Sequence, residues 1–132
     1  MDILYNLAYK SYKNKEVPVG SIVVYKNKII GKGYNNRQKS HFVCGHAEIN
    51  AIKQAEKKLC DWRLNDCILI STLKPCDMCY EVIKTSRIEK VYYLIDQDNL
   101  NYNDEKFEKI SLNDAKIEEF NSLLSTFFKN LR

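Results

Sequence analysis

Two short motifs of this 132-residue chain contain side chains that bind metals well. The sequence reads H-A-E at 46–48 and, thirty positions after the histidine, P-C-D-M-C at 75–79. One imidazole and two thiolates supply the three protein ligands of a catalytic zinc site, which keeps a fourth position open to water. We therefore predict that His46, Cys76 and Cys79 bind one Zn²⁺ per chain.

The two cysteines are expected to lie in the first turn of a helix. On a helix, side chains at i and i+3 lie on nearly the same face. Pro75 suits the first helical turn, where its missing N–H costs nothing, so we expect a helix from Pro75 to about Thr85. The helix dipole and the free amides there favour thiolates, and the zinc would join this helix to a second one that begins at His46.

Glu48 is not needed as a ligand, and its carboxylate is suited to take and return protons beside an activated water. On a regular helix His46 and Glu48 would point about 200° apart. They can share a pocket only if it opens at the helix end. The H-x-E plus P-C-x-x-C pattern is the known signature of zinc nucleobase deaminases, so we predict zinc-activated water as the nucleophile and Glu48 as the catalytic proton shuttle.

Three other cysteines and one other histidine have less specific roles. Cys44, Cys60 and Cys67 are expected to be core thiols, and His41 a solvated loop residue. Cys44 lies two positions before His46 and is an alternative fourth ligand, which would make the zinc closed and structural. An odd count of five cysteines without a visible signal peptide predicts a reducing, cytoplasmic compartment and no disulfide framework.

Hydrophobic spacing predicts the elements that position these residues. Helical periodicity marks the first dozen residues, residues 46 to about 59 and a terminal helix, and β-branched or aromatic runs mark strands at 21–25, 29–34, 68–73 and 91–95. The first two strands are expected to form an antiparallel hairpin whose second strand is loosened at its end by Gly31 and Gly33. The expected apolar seam of the terminal helix is Ile117, Phe120, Leu124, Phe127 and Leu131.

Alternating strands and helices favour parallel pairing through crossover helices. We predict a three-layer α/β/α sandwich with a mixed sheet of about five strands, in one domain spanning residues 1–132, with the polar stretch 96–106 as a mobile connection. No apolar run approaches the roughly 18 residues that span a bilayer, so no membrane partner is expected.

The net charge of +4 is a modest excess that by itself does not establish nucleic-acid binding. Five basic residues cluster near the hairpin and its exit in the sequence: Lys26, Lys28, Lys32, Arg37 and Lys39. They could track phosphates, or they could form an ordinary solvated face.

Beyond the zinc motifs, several stretches make the chain similar to the bacterial tRNA adenosine deaminases, which have the cytidine deaminase-like fold. These stretches are E-V-P-V-G at 16–20, D-W-R-L at 61–64, S-R-I at 86–88, L-L-S at 123–125 and F-F at 127–128. The resemblance implies hydrolysis of the wobble adenosine of a tRNA anticodon to inosine, usually in an arginine tRNA, by a homodimer. It also implies that Asn35, eleven positions before His46, hydrogen-bonds the base.

The chain departs from that family's pattern around the expected pocket. It has F-V-C-G at 42–45 where the family usually has D-P-T-A, Lys74 replaces a common glutamate, and Gln97 stands where an aspartate is frequent. Two alternatives stay open: a deaminase of a free base or nucleoside of the guanine or cytosine type, and a catalytically silent module, stabilised by zinc, that only binds RNA or a partner. Glu48 argues against the silent module, and Lys129 and Arg132 favour RNA.

Overall fold

The computed structural model describes residues 2–110 and 114–130, with side chains for residues 2–110 and 118–129. This part of the chain forms five helices and five strands. In order they are α1 (Asp2–Lys13), β1 (Gly20–Tyr25), β2 (Lys28–Tyr34), α2 (Arg37–Ser40), α3 (Ala47–Leu59), β3 (Cys67–Leu73), α4 (Asp77–Thr85), β4 (Lys90–Ile95), β5 (Phe107–Lys109) and α5 (Asp114–Asn130).

The five strands form one mixed sheet in the order β2-β1-β3-β4-β5. Strand β1 is antiparallel to both β2 and β3, whereas β3, β4 and β5 are parallel. The predicted hairpin is confirmed, and its Lys26-Asn27 turn has positive φ at both residues (49° and 63°), as a type I′ turn requires. The sequence gives no sign of β5, because its three residues show no apolar alternation.

Helices cover both faces of the sheet, which confirms the three-layer sandwich. On one face α3 and α4 bury an aliphatic core that includes Val23, Ile52 and Leu69. On the other face α1 and α5 bury Leu4, Leu94 and Phe120. Among the described residues, no helix combines the length and the apolar character needed to cross a membrane.

The terminal helix follows the predicted seam in part. Phe120 and Phe127 are buried as expected, Leu124 is half-buried, and the third buried position is Leu123. The side chain of Ile117 and the whole of Leu131 lie outside the described residues.

Gly31 and Gly33 do not loosen the end of β2: the register shifts once, between Val23 and Val24 of β1, and residues 31–34 then pair with β1 without a break. They allow α3 to pack directly against the strand. A Cβ at Gly31 would lie 3.1 Å from the Ala55 nitrogen, and one at Gly33 would lie 2.5 Å from the Ala51 nitrogen. The expectation of a loose strand end was wrong, because these glycines are needed for the close contact of β2 with α3.

Helix α4 begins later than predicted. Pro75 precedes the helix, and Cys76 is its N-cap with an extended backbone (φ −71°, ψ 173°). The prediction that Pro75 occupies the first turn was therefore wrong. Cys76 stands just outside the helix, while Cys79 lies in its first turn.

We predict that Gly33→Ala lowers the free energy of unfolding by about 3 kcal/mol, because the added methyl group meets the backbone of α3 and cannot be accommodated by a side-chain rotation. Urea unfolding of the zinc-saturated protein measures this change. Lys32→Ala, at an exposed position of the same strand, is the matched control and should change the stability by no more than about 0.5 kcal/mol. Equal stability of the two variants would contradict the assigned role of Gly33.

Candidate metal centre and adjoining pocket

His46 and Glu48 flank the start of α3 and face one pocket. His46 is the N-cap, with an extended backbone (φ −95°, ψ 149°), and Glu48 lies in the first turn. Since His46 is outside the helix, the angular separation of a regular helix does not apply to the pair. Both residues line a cavity of about 500 Å³ at this helix end.

The three sequence-predicted ligands converge. Within the part of the chain that the structure describes, His46, Cys76 and Cys79 form the one group of three candidate ligand residues, and their ligand atoms all lie within 4.8 Å of one another. His46 Nδ1 is 3.3 Å from Cys79 Sγ and 3.6 Å from Cys76 Sγ.

These distances fit a tetrahedral zinc ion. Zn–N and Zn–S bonds of about 2.0 and 2.3 Å at a tetrahedral angle place nitrogen and sulfur about 3.5 Å apart. One imidazole and two thiolates form the donor set that zinc prefers, and Nδ1 is the imidazole atom that faces both sulfurs. The three residues therefore fit zinc.

The remaining cysteines stay outside this group. Cys44 Sγ lies 4.0 Å from the Met78 sulfur and is absent from the ligand cluster, so the closed four-ligand alternative has no support in the geometry. Cys67 is a core thiol as predicted. Cys60 is exposed, contrary to prediction, because it caps the C-terminus of α3 in a left-handed conformation (φ 54°) at the surface. His41 is exposed, as expected.

The two thiols of the cluster are strongly unequal. A hydrogen bond from Cys79 and the contact with His46 lower the pKa of Cys76 to about 4. The same partnership with Cys76, reinforced by burial, raises the pKa of Cys79 far above its ordinary value. In the metal-free protein the pair therefore consists of one thiolate and one thiol.

Glu48 is a buried carboxylate with only 4% of its surface exposed. Burial raises its pKa to about 7, although its own backbone N–H and His46 oppose the shift. A group with a pKa near neutrality can both accept and release a proton at physiological pH. Its burial beside the ligand cluster and its raised pKa suit a general acid and base.

Asn35 follows the end of β2 and contacts the start of α3. Its Oδ1 accepts a hydrogen bond of 2.7 Å from the Ala47 backbone N–H, one of the amides that the helix leaves without an internal partner. Asn35 also lines the cavity. This hydrogen bond sets the orientation of the amide group. Its Nδ2 remains as the atom that can donate to a ligand.

The wall of the cavity includes a residue whose role the sequence pattern did not reveal. Glu16 is buried, and its carboxylate accepts hydrogen bonds from the backbone N–H groups of Gln38 and Lys39. This fixes α2 beside the pocket. The only sequence signal for Glu16 was its place in the E-V-P-V-G stretch at 16–20. The full lining is Lys15, Glu16, Val17, Val19, Asn35, Arg37, Gln38, His46, Glu48, Leu73, Lys74, Cys76, Gln97, Phe127 and Phe128.

The predicted basic cluster is divided by the fold. Lys26 and Lys28 lie at the hairpin turn, whereas Asn35 follows the opposite end of β2, about 20 Å away for a seven-residue strand. Arg37 lines the cavity, with Nη2 2.6 Å from His46 Nε2. The five basic residues that cluster in the sequence therefore do not all lie beside Asn35, because neighbours in sequence occupy opposite ends of a strand.

Comparisons with known proteins agree with this site. The family profile described as "Cytidine and deoxycytidylate deaminase zinc-binding region" matches residues 1–95. The chain is 39% identical over 127 residues to a tRNA-specific adenosine deaminase of Buchnera aphidicola subsp. Baizongia pistaciae, covering 89% of this chain and 78% of that protein.

Two solved structures extend the comparison. One, from a study of A-to-I editing by tRNA:A34 deaminases at the wobble position, superposes with a TM-score of 0.75 at 25% identity, covering 83% of this chain and 95% of the other. The guanine deaminase of Bacillus subtilis superposes with a TM-score of 0.68 at 33% identity, covering 72% and 61%.

We predict that zinc binding releases about one proton from the thiol pair between about pH 7 and pH 9. Cys76 is already a thiolate in this range, whereas Cys79 with its raised pKa must lose a proton to become a ligand. The apparent zinc affinity should therefore rise at least tenfold per pH unit. Competition with a chelator, corrected for the chelator's own protonation, measures the slope. A flat profile would contradict the unequal pair.

Proposed function

The chain belongs to the tRNA-specific adenosine deaminases of the cytidine and deoxycytidylate deaminase zinc-binding family, and we propose that it converts the wobble adenosine of a tRNA anticodon to inosine. The convergence of His46, Cys76 and Cys79 beside the buried carboxylate of Glu48 supports this proposal most directly. A zinc ligand set with an adjacent proton carrier serves hydrolysis, whereas a purely structural zinc needs no such carboxylate.

The reaction replaces the exocyclic amine of adenine with oxygen. Zinc, when bound by the three ligands, supplies Lewis-acid activation of water at neutral pH. Glu48 takes a proton from the attacking water and passes it to the ring nitrogen as the oxygen bonds to C6. Glu48 then transfers the second proton of the water to the departing amine, so that the C6–N bond breaks and ammonia leaves.

Asn35 is proposed to orient the base. Its Nδ2 can donate to a ring-nitrogen acceptor of the purine, because Oδ1 is held by the Ala47 amide. The same contact joins the base-binding loop to the helix start that carries Glu48. The amide that binds the base and the carboxylate that carries the proton would therefore be held in a fixed position relative to each other.

An RNA loop suits this pocket. Anticodon bases are unpaired or easily splayed, so extruding one costs at most a few kcal/mol. Lys15, Arg37 and Lys74 line the cavity and can attract the phosphates that flank the extruded base. Phe128 lines the same cavity with 49% of its surface exposed, and its ring is available for stacking on a neighbouring base.

Several finer points belong to the same proposal. We propose an arginine tRNA as the substrate, a homodimer as the active form, a cytoplasmic location, and a single domain over residues 1–132. The resemblance of the chain to the bacterial tRNA adenosine deaminases supports the first two points. The free cysteines Cys76 and Cys79, which the metal site requires in reduced form, support a reducing compartment.

We predict that the zinc-loaded protein forms inosine in an anticodon stem-loop with a wobble adenosine, and leaves free adenosine, cytidine and guanine unchanged. Parallel incubations analysed by chromatography of the nucleosides and bases measure this. A stem-loop with guanosine at the wobble position is the matched control. Conversion of free guanine or cytidine alone would select the free-base alternative, and tight RNA binding without turnover would select the silent module.

We predict that Glu48→Gln lowers the turnover number for the stem-loop by about 10²- to 10⁴-fold, since an amide of nearly equal shape cannot carry the proton. Zinc content should be unchanged, because Glu48 is not a ligand, and metal analysis of the purified variant checks this. Glu56→Gln, on the same helix and outside the cavity, should keep full turnover. Near-normal turnover of Glu48→Gln would overturn the assignment.

A further inference from the structure

The segment Gln97–Tyr102, which we call the clasp, contacts the turn that carries Cys76. This stretch was expected to be a mobile connection, but its polar groups are bonded to the residues around the metal ligand. Gln97 Nε2 donates to the Lys74 carbonyl, and the Tyr102 hydroxyl donates to the Pro75 carbonyl at 2.6 Å. The expectation of a loosely attached segment is therefore not supported.

The clasp also holds the first residue of α4. Asn101 donates two hydrogen bonds to the Asp77 carboxylate, from its backbone N–H at 2.8 Å and from Nδ2 at 2.9 Å. Residues 74, 75 and 77 are thus all bonded to the clasp. The residue between them is the zinc ligand Cys76.

Aromatic packing fixes the Tyr102 hydroxyl in place. Its ring stacks on Tyr80 with a centroid distance of 4.0 Å and an interplanar angle of 8°, and it meets the ring of Phe107 edge-on at 5.1 Å. Lys74 Nζ lies 5.4 Å from the centroid of the same ring. A tyrosine held on several sides presents its hydroxyl to the Pro75 carbonyl with little rotational freedom.

The turn that carries Cys76 needs support from residues outside α4. Cys76 is the N-cap of α4 and has no side-chain capping bond, and the helix engages only its carbonyl, through the Tyr80 amide at 2.8 Å. The extended backbone on the N-terminal side of Cys76 is not held by helical hydrogen bonds. A metal ligand binds well only when surrounding groups fix its orientation.

We propose that Tyr102 and Asn101 are positioning residues that hold the Cys76 turn in the geometry that binds zinc. This inference rests on the metal centre of the proposed function and adds to it a role for a segment in which the chain departs from the pattern of its relatives. The clasp residues need not touch substrate.

Tyr102→Phe tests the proposal, because it keeps the ring stack and removes only the bond to Pro75. Tyr80→Phe is the matched control, since it removes a hydroxyl from the same stack that donates to Asp104 instead. We expect the zinc affinity of Tyr102→Phe, measured by competition with a chromophoric chelator, to fall about fivefold, and that of Tyr80→Phe to change less than about twofold. Asn101→Ala should weaken zinc binding by a similar factor.

A spectroscopic readout separates positioning from a general loss of stability. With Co²⁺ in place of zinc, the visible absorption bands report the ligand geometry, and we expect them to shift in Tyr102→Phe and not in Tyr80→Phe. Equal zinc affinities and superimposable Co²⁺ spectra for the two variants would overturn the proposal. Because neither measurement uses RNA, this outcome is distinct from a failure of the stem-loop assay, which would concern the proposed function alone.

Discussion

The fold is organised around the convergence of one imidazole and two sulfur atoms on a single ion. The two cysteines lie 30 and 33 positions after the histidine, and the sheet brings the three residues together. Strands β2 and β3 are both antiparallel to β1 and therefore run in the same direction. Helix α3, which follows β2 after the short α2, and helix α4, which follows β3, consequently begin at the same edge of the sheet. His46 and Cys76 are the N-caps of those two helices, so the topology places both beside the same point.

Precise placement of the ligands depends on contacts between distant parts of the chain. Gly33 lets α3 lie against β2, Asn35 bonds the first amide of that helix, and the clasp holds the turn before α4. The contacts of Asn35 and of the clasp act at the starts of α3 and α4, where backbone groups have no partner within the helix. The centre is therefore supported from the strand below it and from the segment beside it, and residues of α2 together with Phe128 line the adjoining cavity.

Local patterns were sufficient to predict most helices and strands and the zinc ligands, because residue spacing and hydrophobic periodicity are written in neighbouring positions. These local patterns gave wrong predictions for residues whose role depends on a contact with a distant part of the chain. The neighbours of Gly33 predict a loosened strand end, whereas the glycine makes room for α3. The polar residues of the clasp predict a mobile connection, whereas they are bonded to residues 74, 75 and 77. Lys26 and Arg37 were grouped by sequence proximity, although β2 separates them. Pro75 was assigned to the helix because proline favours first turns, but the extended N-cap at Cys76 delays the helix start.

The most direct test of the central claim is the X-ray absorption spectrum of the zinc-loaded protein at the zinc K-edge. Three protein ligands with one open position predict two sulfur atoms at about 2.3 Å and light nitrogen or oxygen neighbours at about 2.0 Å. This result would agree with coordination by His46, Cys76, Cys79 and a solvent molecule. A shell of three or four sulfur atoms, or zinc bound by nitrogen and oxygen alone, would contradict the account.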